Sequence, residues 1–277
     1  GIVLLTCIIS SKIFYKWGVP VLLVFIIIGM LFGSDGIGGI YFDNYNITYS
    51  LSSIALVFIM FYGGFCTEWK KARSVAIPSI MLSTLGVIIT AGLTGLFCHF
   101  VLKTSIFEGL LLGCIVASTD AASVISILRS RNLKLKNNID TLVEFESGSN
   151  DPTAYMLTSV MLIFITSNES VGIGLLGMIF KQIVFGVTVG LFLSKLAVFI
   201  LRKVEFEIEG LYPIFTITVA ILAYSISEFL GGNGYLSVFI AGIVMGNSKI
   251  PHKKSLNHFF DGLSWIMQII LFFMLGL

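Results

Sequence analysis

The chain has 277 residues, of which 56% are hydrophobic and only 12% charged, with a formal net charge of +2. A soluble domain carries roughly 25% charged residues, so this composition excludes a water-soluble globular protein and makes lipid the main solvent. The net charge says little by itself; where the charges lie says more. Cys7, Cys66, Cys98 and Cys114 lie in or at the ends of apolar runs without CxxC or CxxxC spacing, which favours reduced buried thiols over a disulfide or metal centre. No cleavable signal peptide is visible. The chain opens inside an apolar run without a start methionine and closes in another, Ile269–Leu277, so it reads as cut off at both ends.

Apolar runs of spanning length recur at 1–11, 19–33, 49–66, 75–102, 106–128, 140–165, 172–201, 210–229, 233–247 and 260–277. The runs 19–33 and 233–247 are short for a full crossing and call for tilt, extension through flanking residues or burial inside the protein. Basic residues fall on alternate connections. Lys12 and Lys16 follow the first run, Lys70, Lys71 and Arg73 the third, and Arg129, Arg131, Lys134 and Lys136 the fifth. Arg202 and Lys203 follow the seventh, and Lys249, Lys253 and Lys254 the ninth. The other connections hold Asp35, Asp43, Glu108, Glu169 and Glu228, with Lys103 as the main exception. This is the positive-inside pattern: the basic connections are cytoplasmic and the first run starts outside. The expectation is an all-α, multi-pass protein of a bacterial inner membrane, with the lipid bilayer as partner and no nucleic acid. Lys181 and Lys195, inside the seventh run, read as stems that snorkel toward its ends.

A faint repeat links distant runs. Leu23, Gly29 and Gly33 match Leu236, Gly242 and Gly246 at one fixed offset, and Phe61 and Gly64 match Phe273 and Gly276 at nearly the same offset. The matched runs are an odd number of spans apart, so they cross in opposite directions, the plan of an inverted-topology repeat in secondary transporters. Chance is the competing reading, because glycine and leucine are abundant here. On the repeat reading, 1–165 is the first repeat, 166–203 a linker helix and 204–277 the incomplete start of the second.

Charge at the bilayer centre costs at least about 2.5–3.5 kcal/mol per residue on insertion scales, so each such residue needs a reason. Within the fifth run stands Ala117-Ser118-Thr119-Asp120-Ala121-Ala122-Ser123. Ser, Thr and Asp compete for backbone hydrogen bonds and favour caps. The expected structure is a helix that unwinds near Ser118–Asp120 and restarts at about Ala121, with Asp120 at the new N-terminus. Unwound carbonyls beside a cavity can coordinate a cation; a plain capping role for Asp120 is the alternative. Within the sixth run stands Glu144-Phe145-Glu146-Ser147-Gly148-Ser149-Asn150-Asp151-Pro152. Helical spacing puts Ser147 with Asp151 on one face, and Glu146 with Asn150 on another. Asp151 falls near mid-membrane, and Pro152 loosens the helix by removing a donor. A carboxylate held away from water can carry a proton. If a bare cation can occupy the same place, the two compete, and exchange follows when the site opens to each side in turn. A locked structural salt bridge is the alternative for both acids, and the favoured one for Glu146.

These residues resemble a known family. The stretch from Ser118-Thr119-Asp120 through Leu133-Lys134 to Glu146-Ser147-Gly148-Ser149-Asn150-Asp151-Pro152 is similar to NhaP-type cation/proton antiporters, most of all to the CvrA-type potassium/proton antiporters. Gly29-Met30-Leu31, Asp35-Gly36-Ile37-Gly38-Gly39-Ile40, Phe42-Asp43-Asn44-Tyr45 and Phe259-Phe260-Asp261-Gly262-Leu263-Ser264-Trp265 support the match, which covers essentially the whole chain. The resemblance implies an NhaA-like inverted-repeat fold, a homodimer, and a moving core domain. It implies that Asp151 binds the transported ion or proton, lined by Thr119, Ser147 and Asp120. Asn150, in place of a second acid, resembles the electroneutral branch. Glu146 would pair with an arginine on a later helix. The ion held by Asp151, Thr119 and Ser147 would be a transported K+ or Na+, with no cofactor. One departure stands out: many relatives carry an acid where this chain has Tyr62, in Phe61-Tyr62-Gly63-Gly64, so no role is carried over there. An intramembrane aspartyl protease would need a Gly-x-Gly-Asp context that neither Asp120 nor Asp151 has. A channel or ion sensor is disfavoured by the broken-helix and repeat pattern. Potassium is favoured, with sodium or lithium the alternative.

Overall fold

In a computed structural model of the chain, every one of these apolar runs contains a helix. The structure describes residues 1–15, 20–120, 135–136, 139–167 and 173–277. Among the described residues the long helices are α1 (Ile2–Tyr15), α2 (Val21–Phe32), α3 (Tyr45–Cys66), α4 (Ala76–Leu102), α5 (Ile106–Val116), α6 (Ile139–Ser167), α7 (Ile173–Lys203), α8 (Leu211–Phe229), α9 (Gly234–Gly246) and α10 (Lys253–Gly276). The expected restart at Ala121 and the basic residues Arg129–Lys134 lie outside the described residues.

Local chemistry sets the ends. α3 starts before its apolar run because the Asn44 side chain accepts the Ile47 amide at 3.1 Å, satisfying an otherwise orphaned donor. α5 starts on a capping box, with Ser105 Oγ accepting from Glu108 N and Glu108 accepting from Ser105 N. α4 closes on Lys103 in the left-handed conformation (φ 55°), so the basic residue that breaks the charge alternation is a C-cap. α10 starts well before its apolar run, with Lys253, Lys254, Asn257 and His258 occupying its first turns.

Large apolar side chains stand on the outside of the bundle, among them Phe100, Phe180, Phe192 and Phe229, as lipid contact requires. Inside, Phe61, Phe65, Leu201, Val238, Met245, Leu256 and Phe260 are buried where α3, α7, α8, α9 and α10 meet. In lipid, helices gain little from the hydrophobic effect against one another, and small residues that permit close packing take over. Two crossings do this in matching ways. Gly29 of α2 faces Gly276 of α10: a Cβ on Gly29 would strike the Phe273 carbonyl, and one on Gly276 the Ile26 carbonyl. Gly242 of α9 faces Gly64 of α3: a Cβ on Gly242 would strike the Phe61 carbonyl, and one on Gly64 the Phe239 carbonyl. One turn on, Gly33 meets Leu277 and Gly246 meets Phe65, so both pairs run parallel. These are the residues matched by the sequence repeat, and the crossings pair α2 with α10 and α9 with α3.

The site helix α6 is clamped between two bodies. Ser79 Oγ of α4 donates to Leu142 O at 3.2 Å, and Phe145 packs on Ala72, Ala76 and Phe239. Farther along, Tyr155 meets Tyr235 of α9 edge-on, with centroids 4.6 Å apart.

Candidate ion-binding site

The fifth helix stops at Val116, and Ser118–Asp120 continue as non-helical chain, as the cluster of small polar residues requires. This broken segment lies against the middle of α6. Ser118 Oγ donates to Asp151 Oδ1, and stands 3.2 Å from Asn150 Oδ1. A hydroxyl has one proton, so it serves these acceptors in turn. Ser147 Oγ donates to the Thr119 carbonyl, occupying one of the backbone groups freed by unwinding. Asn150 is fully buried, at 0% exposure, and spends both amide protons: one on Thr119 Oγ1 at 2.6 Å and one on Glu146 Oε1 at 3.1 Å. Thr119 Oγ1 in turn donates to Glu146 Oε2 at 3.3 Å. Asn150 and Glu146 are therefore joined across one helical turn, and Ser147 and Asp151 share the neighbouring face.

Ser118, Thr119, Asp120, Ser147 and Asp151 line one partly open cavity of about 630 Å³, with α5 and α6 on one side and α2, α3 and α10 on the other. Its lining carries Asp120, Glu144 and Asp151 and, among the described residues, no lysine or arginine. Such a space attracts cations. Asp151 offers one carboxylate among neutral hydroxyl oxygens, an all-oxygen donor set of the kind hard cations take.

The predicted residues Asp151, Asp120, Thr119, Ser147 and Asn150 are thus brought together. Glu146 joins them through Asn150 and Thr119. Sequence reasoning missed Ser118 as the partner of Asp151, although it named the segment. It also missed Asn233, which is buried and donates from Nδ2 to the Pro152 carbonyl at 2.9 Å while its Oδ1 caps α9 at Leu236 N, 3.0 Å away. The signal for Asn233 was its place before an apolar run, which marks a cap but says nothing of a second bond to α6.

The model of the sodium/hydrogen exchanger transmembrane family matches residues 1–277. The chain belongs to that family. Two similar relatives are the K(+)/H(+) antiporter NhaP of Alkalimonas amylolytica and the K(+)/H(+) antiporter NhaP2 of Shewanella sp. (strain ANA-3). The first is 39% identical over 277 residues, all of this chain and 48% of the relative. The second is 38% identical over 284 residues, 98% of this chain and 47% of the relative. This exchanger-family chain spans about half the length of the curated relatives it matches. Among solved structures it is similar to the sodium proton antiporter MjNhaP1 from Methanocaldococcus jannaschii. That match has a TM-score of 0.85 at 25% identity, covering 100% of this chain and 68% of that one. The fold is that of a multi-pass membrane antiporter, and the relatives are named as transporters rather than enzymes.

Proposed function

We propose that the protein exchanges a monovalent cation for H+ across the bacterial inner membrane, with both ions competing for Asp151. The observation that carries this reading is the Ser118–Asp151 pair, set at a helix break and open to a cavity lined by acids and, among the described residues, by no lysine or arginine. An ionised Asp151 accepts from Ser118 and can hold a bare cation with the hydroxyl oxygens of Thr119 and Ser147; a protonated Asp151 has no charge left for one. Asp120 adds negative charge at the break. Glu146, held by Asn150 and Thr119, serves architecture, with a salt-bridge partner on a later helix. Cys66 and Glu144 lie near the helix ends that carry the basic connections, so the cavity extends toward the cytoplasmic face.

Competition for one site by one cation and one proton makes exchange electroneutral, and the α6 position next to Asp151 holds the neutral Asn150 rather than a second acid. Potassium is the favoured ion, supported by the names of the relatives at 38–39% identity; sodium remains the second reading, supported by the name of the solved structure. Residues 1–165 and 204–277 act as the two inverted repeats around the linker helix 166–203, and the protein works as a homodimer in the bilayer. Everted vesicles with the full-length protein and a pH-sensitive dye test this. Adding K+, then Na+, dequenches the dye with saturating dependence on the cation, and Asp151→Asn abolishes the response although the protein is inserted. Exchange retained by Asp151→Asn overturns the assignment.

A further inference from the structure

The cavity has a second polar wall that the exchange reading does not use. On α10, Asn257, Asp261, Ser264 and Gln268 recur at helical spacing and form one stripe in a membrane helix. Polar residues at that depth need a water-filled space or a partner. Each member of this stripe is tied to the cavity. Ser264 and Gln268 line it, with Gln268 Nε2 donating to Ser264 Oγ at 3.1 Å. Tyr62 and Cys66 of α3 line it too. The Tyr62 hydroxyl donates to Asp261 Oδ1 at 3.0 Å, and the Cys66 thiol donates to Asn257 Oδ1 at 3.5 Å. These are paired rungs between α3 and α10: residues one turn apart on one helix meet residues one turn apart on the other.

The chemistry of the Tyr62 rung is specific. A phenol has one proton, and Tyr62 spends it on Asp261. The phenol oxygen, with the Cys66 sulfur beside it, still has lone pairs to accept from water or to face a cation. Among the described residues no salt bridge neutralises Asp261; the ion pairs there are Lys71–Glu68 and His252–Glu209. Tyr62 therefore brings a neutral oxygen into the space that holds Asp151, with the Asp261 carboxylate bonded behind it.

We propose that Tyr62, oriented and polarised by Asp261, is a waiting point for the monovalent cation on the α3–α10 wall of the cavity, where the ion exchanges part of its water before it reaches Asp151. Tyr62 is the ligand and Asp261 the positioning residue. The proposal rests on the cation/proton exchange reading and deepens it.

Full-length protein in proteoliposomes tests it through the half-saturating K+ concentration. Removing an interaction made on the way in raises that concentration more than it lowers the maximal rate, by about three- to tenfold for Tyr62→Phe and for Asp261→Asn. Asp261→Glu, which keeps the acceptor and its charge, restores most of the loss. A purely structural role would instead lower the amount of folded protein or the maximal rate and leave half-saturation in place, and that result overturns the proposal. Alkylation of Cys66, followed by peptide mass spectrometry, gives a readout independent of transport and of any variant's folding. K+ slows the reaction in wild-type protein, and Tyr62→Phe removes the protection. Equal alkylation rates with and without K+ in folded wild-type protein overturn the proposal even where exchange is intact. Protection by K+ in a protein that exchanges nothing would keep this site and refute the exchange reading.

Discussion

The glycine crossings of α2 with α10 and α9 with α3, and the crossing of the Ser118–Asp120 segment with α6, solve one problem in opposite ways. Both bring backbones close inside a membrane. The glycine crossings do so by removing side chains, so that carbonyls sit where a Cβ would be. The arrangement has no polar side chain to satisfy and no room to slide, which suits a scaffold. The site crossing does so with hydroxyls and an amide, each bonded across the gap. Hydrogen bonds of this kind can exchange partners, as the single proton of Ser118 must between Asn150 and Asp151. The contrast teaches that the membrane tolerates polar groups where they are mutually satisfied, and uses bare backbone where rigidity is wanted.

Variants can break this contrast in graded steps. Gly242→Ile has the largest expected effect on stability, because its Cβ would meet the Phe61 carbonyl, which is backbone and cannot turn away. It should cost at least about 1–3 kcal/mol, as overpacking does, and show as lost folded protein by fluorescence-detected size-exclusion chromatography. Asn150→Ala comes next. It leaves Thr119 and Glu146 without their amide donors, at about 1–3 kcal/mol for unsatisfied buried groups. Thermal melting in detergent should fall, and exchange should fall with it. Gly92→Ala on α4 should be nearly silent, within about 0.5 kcal/mol, because nothing lies within 4 Å of the added Cβ. A Gly92 variant as damaging as the Gly242 variant would show that close approach is not what distinguishes the glycines.

The spans of this fold are legible in the sequence. Apolar runs and alternating basic connections mark the spans, since the bilayer imposes both. Where boundaries differed, polar residues were helical outside the apolar run, as in Lys253–His258 of α10. The grouping of Thr119, Asp120 and Ser147 with Asp151 was an expectation from the family resemblance, whereas the Ser118–Asp151 bond was not foreseen. The bonds of Asn233 to Pro152 and of Tyr62 to Asp261 were not, because each joins residues distant in sequence and no local pattern records the partner.

The central claim is competition, and proton release measures it directly. K+ added to purified full-length protein in weakly buffered detergent solution should displace protons, toward about one per protein at saturation, as when a cation takes a protonated ligand. Asp151→Asn should release none. Wild-type protein that binds K+ without releasing protons, or an Asp151→Asn variant that releases as many, would contradict the account.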